Sequence, residues 1–296
     1  IGGMSAFGRV SVGPAFDRIG IAVRFLLVTA GLLSSTVHLH HPERAWRALS
    51  QWRSSWLSRE GVAAVLTYMP ALLLAFMAWQ GDLVSPLARG LGVLLMFGAV
   101  ATVASTAMIY ASLRSIRQWH QPSVLPVYLG FALASGLMWL CTSLAWFGAA
   151  GAPWLMAAAA AVALSWSLKW VYWRQIDNAA DTSTVQTATG LQGDVRPFDP
   201  PHTEHNYLQT EMGFRIARKH AAKLRRIGVL VGAVAPVFGL ALSLALPSGA
   251  ALWVLAPATL AAMGGLVIER WLFFAEATHT VAHYYGMSDA GVKMSS

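Results

Sequence analysis

The chain has 296 residues, of which 56% are hydrophobic and 11% charged, against about 25% charged in an ordinary soluble domain, and this balance excludes a water-soluble globule. The formal charge of +8 does not point to nucleic acid, because no basic, base-stacking soluble module is present to use it. The single cysteine, Cys141, rules out disulfides within the chain and cysteine-ligated zinc or iron–sulfur clusters, so any redox centre comes from elsewhere.

The apolar residues fall in runs of about 20, the length an α-helix needs to cross a hydrocarbon core about 30 Å thick. Seven spans are predicted, near 16–37, 61–79, 88–110, 125–148, 152–173, 228–247 and 250–273. The expected fold is an all-α polytopic transmembrane helix bundle, one integral membrane domain over 1–296. Residues 1–15, IGGMSAFGRVSVGPA, show neither an initiating Met nor a signal-peptide pattern, and an upstream piece is expected to be missing.

The connections differ in charge. Those after the second, fourth and sixth spans carry little beyond Asp82 and Arg89. On the other face, 38–60 holds Arg44, Arg47, Arg53 and Arg59, 111–124 holds Arg114 and Arg117, and 174–227 includes Lys219, Lys223, Arg225 and Arg226. The positive-inside rule predicts that this face is cytoplasmic. Within 174–227 the first part is rich in Thr, Gly, Asp and Pro and reads as an exposed loop. Its second part, YLQTEMGFRIARKHAAKLRRIG, reads as an amphipathic helix with Met212, Ile216 and Leu224 near one face. Arg218, Lys219 and Arg225 then turn to polar surroundings. Such a basic stretch suits either lipid headgroups or a docked partner.

Residues with chemical potential concentrate at VHLHHPERAWRALSQWRSSWLSREG, 37–61. His38 ends the first span, Pro42 stops any helix, and Ser58 is placed to N-cap the next span with Glu60 in its first turn. A quinone needs groups that exchange protons beside apolar walls that hold its ring. His38 and Glu60 supply the first, Trp46 or Trp56 can pack on the ring, and Arg44 or Arg59 can hold Glu60 ionised. The plainer alternative is an interfacial histidine, a helix-start acid favoured by the dipole, and arginines that only set topology.

Other candidates carry less. His279 and His283 are four residues apart and can share a helical face, but the sequence offers no second pair for a haem at the opposite depth. His202 and His205 supply two ligands, too few to close a metal site. Glu269, Arg270 and Glu276 either belong to a proton route or pair with one another. No phosphate-binding loop, HExxH or supported nucleophile is present.

The segments HLHHPERAW at 38–46, SSWLSRE at 54–60 and TEMGFRIARKHAAKLR at 210–225 resemble the membrane anchor subunit of the dimethyl sulfoxide reductase family, and the resemblance covers most of the chain. It implies a three-subunit complex of a molybdopterin catalytic subunit, an iron–sulfur electron-transfer subunit and a haem-free anchor that reacts with quinone, either ubiquinone or menaquinone. It also implies eight spans in the complete protein and carries quinol binding to His38 and Glu60; His40 and His41 depart from the small residues usual there. Arg47, Arg53, Arg218, Lys219, Lys223 and Arg225 are the expected docking residues for the iron–sulfur subunit. A cytoplasm-facing complex resembles the sulfite-oxidising branch, in which electrons from sulfite pass to quinone. The alternatives are a quinol-oxidising anchor of the dimethyl sulfoxide-reducing type, a purely structural tether, and a transporter. A transporter would be expected to show inverted repeats and charged groups near the midplane, whereas the ionisable groups read from the sequence lie mainly at span ends.

Overall fold

In a computed structural model, the structure describes residues 13–37, 42–178, 186, 189–193, 195 and 215–277. Among them the regular elements are helical. We label the helices α1 (Pro14–Val37), α2 (Trp56–Gln80), α3 (Pro86–Ala111), α4 (Val124–Trp146), α5 (Ala152–Asn178), α6 (Arg215–Lys219), α7 (Ala221–Leu244) and α8 (Ser248–Ala275). A 3-10 segment, Pro42–Leu49, precedes α2. Helices α2, α3, α4, α5, α7 and α8 are long and apolar enough to cross a membrane. The predicted first span forms α1, whose 24 residues also reach across a bilayer at about 1.5 Å each. It carries Asp17, Arg18 and Arg24.

The helix ends follow the capping chemistry of the sequence. Ser85 accepts from the Ala88 amide at 3.3 Å, with Pro86 opening α3. Gly81 closes α2 at φ +83°, and the Asp82 amide returns to the Met77 carbonyl at 2.9 Å. At the other end of α2 the expectation needs correction. The cap is Ser55, which accepts from the Ser58 amide at 3.5 Å, so the helix starts at Trp56 and Glu60 falls in its second turn. Ser58 is buried, and its hydroxyl donates to the Ala48 carbonyl, tying the 3-10 segment to α2.

Helices α4, α5, α7 and α8 make one bundle around Met138, Val162, Leu240 and Leu255. Cys141 is buried there and its thiol points to the Trp154 carbonyl at 3.3 Å. With no hydrophobic effect between helices in lipid, small residues and polar joints set the packing. Gly232 of α7 meets Gly265 of α8 backbone to backbone, where any side chain on either would collide. A π turn over Leu230–Val234 leaves the Gly232 carbonyl to accept from the Trp166 indole at 2.9 Å. Thr142 and Thr259 join α4 to α8 at 2.7 Å.

The α2–α3 hairpin leans on this bundle through α3, and α1 packs on α2. Phe16, at the start of α1, is buried against Leu140 and Leu144 of α4. Leu66, Phe76, Phe97, Phe238 and Trp253 are exposed, large apolar side chains of the kind a bilayer covers. The chain crosses back and forth so that the 3-10 segment, the 112–123 connection, α6 and the C-terminus of α8 share one end. That is the basic end.

Candidate functional site

Two polar assemblies lie towards the basic end. In the four-helix bundle, Lys169 of α5 and Glu269 of α8 are fully enclosed and 2.6 Å apart. Arg270 grips both oxygens of the same carboxylate at 2.5 and 2.8 Å. Aromatic faces complete the cage, with the Lys169 ammonium 3.8 Å from the Tyr172 ring centre and the Arg270 guanidinium 4.1 Å from that of Tyr128. Nearer the surface, Arg225 forms a fork on Asp177 at 2.6 and 3.0 Å and reaches Glu276 at 2.7 Å. Arg218 donates to the carbonyls of Ala275 and Ala277 at 2.9 and 2.8 Å, which satisfies the end of α8. Glu269 and Arg270 therefore pair with each other, as in the second of the two roles expected for them, whereas Glu276 pairs with Arg225 instead.

The other assembly is in α1–α3. Glu60 is half-buried, and the Thr106 hydroxyl of α3 donates to its Oε1 at 2.6 Å. One turn further into the membrane, Ala64 on α2 and Thr102 on α3 begin a cavity of about 340 Å³. It runs between the three helices to Leu74, ten residues or about 15 Å along α2. Its walls are apolar apart from Thr67, Tyr68, Thr102 and Arg24. A partly open, largely apolar cavity of this size, with a few polar groups, has the form of a small-molecule site.

The predicted site residues are distributed unevenly around it. His38, like His202, His205, His279 and His283, lies outside the described residues, as does Met212. Glu60 stands one turn above the cavity without lining it. Arg59 turns away from Glu60, donating to the Trp52 and Arg53 carbonyls at 3.0 and 2.6 Å and covering the Trp56 ring at 4.2 Å. Arg44 and Trp46 are exposed on the 3-10 segment. Of the expected docking cations, Arg47, Arg53, Lys219 and Lys223 are exposed, whereas Arg218 and Arg225 are engaged within the chain.

Sequence reasoning missed Thr106, Arg24 and Lys169. The last two are ionisable groups inside helices, exceptions to the expected concentration at span ends. Their signal was present, since each is a lone cation inside an apolar run, IGIAVRFLLV and SWSLKWVYW. Thr106 gave none, being 46 residues from Glu60.

The comparisons agree with this architecture. No solved structure matches the chain. A curated relative, a sulfite dehydrogenase subunit from Allochromatium vinosum, is 32% identical over 284 residues, covering 91% of this chain and 86% of the relative. The family model described as DMSO reductase anchor subunit (DmsC) matches residues 18–275. The chain, an integral membrane protein, belongs to the DMSO reductase anchor subunit family.

Proposed function

We propose that the chain is the quinone-reactive anchor of a three-subunit molybdopterin and iron–sulfur oxidoreductase, with its basic end cytoplasmic and sulfite as the electron source. The observation that carries the quinone part is the Glu60–Thr106 pair at the basic end of an apolar intramembrane cavity. Quinone accepts two electrons and two protons to become quinol, so its site needs a hydrocarbon-depth pocket and a group in contact with water that exchanges protons. The cavity supplies the first. Glu60, half-buried and near the basic end, supplies the second, and the Thr106 hydroxyl fixes its carboxylate towards α3.

Electrons reach this end from the iron–sulfur subunit, which docks on Arg47, Arg53, Lys219 and Lys223. The molybdopterin subunit oxidises the sulfur substrate and does not touch the anchor's pocket. The sulfite preference rests on the relative named as a sulfite dehydrogenase subunit. The family description favours a second reading, a quinol-oxidising anchor of a dimethyl sulfoxide reductase. In that case electrons and protons run the other way through the same residues.

The complex purified with its partners decides between these readings. We expect molybdenum and iron without a haem spectrum, and sulfite-dependent quinone reduction that Glu60→Gln lowers at least tenfold while the subunits stay together. Near-normal turnover in Glu60→Gln would remove Glu60 from the chemistry and leave the anchor as a tether. Quinol-dependent reduction of dimethyl sulfoxide, without sulfite oxidation, would select the second reading.

A further inference from the structure

Arg24 is out of place in the cavity. It lies ten residues from Pro14 and thirteen from Val37, so at about 1.5 Å per residue its Cα is roughly 15 and 20 Å from the two ends of α1. The nearby Arg18 settles its guanidinium on the Ala78 and Trp79 carbonyls at 3.3 and 2.9 Å and against the Trp79 ring. Arg24 has no such arrangement. Its Nη1 is buried without a hydrogen-bond partner, and no carboxylate among the described residues pairs with it.

The other polar groups on the cavity wall have already placed their hydrogens. Thr67 donates to the Ala63 carbonyl at 2.6 Å and Thr102 to that of Gly98 at 2.9 Å. Thr29, just beyond the wall, donates to the Phe25 carbonyl at 2.8 Å, which leaves Tyr68 as donor in their 2.9 Å contact. Arg24 is thus the lining donor with an unused N–H among the described residues. A buried donor without an acceptor is costly, more so when charged and in hydrocarbon.

The occupant must bring an acceptor oxygen to this depth. A phospholipid carries its phosphate and ester oxygens at the interface, away from the middle of α1. A quinone is soluble in the hydrocarbon layer, has two neutral carbonyl acceptors, and suits a cavity of about 340 Å³, near the lower end of the ~300–1,000 Å³ range of ligand sites. We propose that Arg24 donates to one carbonyl of a quinone held in the α1–α3 cavity, so that the ring sits inside the bilayer, below Glu60 and not beside it. This rests on the quinone reading above and adds to it the residue that positions the ring. Glu60, above the cavity, serves proton exchange and not affinity.

The test uses the complex with its partner subunits in lipid nanodiscs and decyl-ubiquinone labelled with ¹³C at its carbonyls. Arg24→Met keeps an unbranched side chain, two bonds shorter and without a donor, and it removes a buried unpaired charge, so the variant is expected to assemble at least as well as the parent. Its Kd for the probe should rise about tenfold, while Arg24→Lys stays within about threefold and Glu60→Gln within about twofold of the parent. In the infrared spectrum one carbonyl stretch of the bound probe should lie at lower wavenumber in the parent and in Arg24→Lys, and return towards the free value in Arg24→Met. An unchanged Kd and spectrum in Arg24→Met overturns the assignment. So does recovery of phospholipid in place of quinone from this cavity when the complex still turns over quinone. If Arg24→Met does not assemble, the spectrum of Arg24→Lys decides: no shifted carbonyl in either it or the parent overturns the proposal. Failure of the parent complex to bind or reduce the probe would defeat the quinone reading itself, a different outcome.

Discussion

The α4, α5, α7 and α8 bundle and the α1–α3 unit treat buried charge in opposite ways. In the bundle, Lys169, Glu269 and Arg270 close on one another and on aromatic faces, and two glycines bring α7 and α8 into backbone contact. In the α1–α3 unit, the helices leave a cavity, and Arg24 reaches it with a donor unused. A bundle whose buried charges neutralise one another reads as scaffold, although Trp173 Nε1, Arg270 Nη1 and Glu276 Oε2 there lack hydrogen-bond partners among the described residues. A unit that keeps an apolar void and an unused cation has the composition of a binding site.

The contrast predicts its largest effect at Glu269. Glu269→Leu leaves the enclosed Lys169 and the partly exposed Arg270 without their carboxylate, and breaking a buried ion pair this way typically costs about 3–5 kcal/mol. We expect heated, detergent-solubilised variant to lose its monodisperse peak far earlier than the parent. Lys169→Met should do much less, because Arg270 still holds both oxygens of Glu269. Equal losses in the two variants would mean that the cluster does not share its charge as described.

How much of this was legible in the sequence follows the same division. The spans were readable because apolar runs of about 20 residues have one stable form in lipid, and the charged connections marked the basic end without any three-dimensional information. What depended on contacts between distant residues was not readable. Ser58 matched the capping pattern as well as Ser55 does, and only the packing of the 3-10 segment onto α2 decides between them. The π turn in α7 answers to the Trp166 indole, 66 residues away. Arg218 and Arg225 looked like surface cations on a helix wheel, yet they serve the carbonyls and carboxylates at the end of α8. Glu60 could be singled out from its place in the chain, but Thr106 and the cavity became visible only once α3 lay beside α2.

A medium effect should separate the Glu60–Thr106 contact from mere proximity. Hydrogen bonds to charged groups contribute about 1.5–3 kcal/mol, so Thr106→Val, which keeps the shape and removes the donor, should lower quinone turnover about tenfold. Thr106→Ser retains the donor and should stay within about twofold. Turnover unaffected by Thr106→Val would show that Glu60 acts without being positioned by α3.

The smallest effects concern how the basic connector is fastened to α2, and here the two serines should differ. Replacing an N-cap serine by alanine costs about 0.5–2 kcal/mol, and the 3.5 Å contact from Ser55 to the Ser58 amide is long, so Ser55→Ala belongs at the low end. Ser58→Ala removes a buried hydroxyl that holds the carbonyl of exposed Ala48, a hydrogen bond of about 0.5–1.5 kcal/mol. Leu49 packs so closely on Gly61 that a methyl group there would strike its side chain, so loosening Ala48 also frees the contact next to it. Hydrogen exchange reads the difference directly. Ser55→Ala should speed exchange only at the first amides of α2, whereas Ser58→Ala should also release the 3-10 segment; identical patterns would mean that the connector is held by its tryptophans and arginines in the headgroup layer instead of by α2.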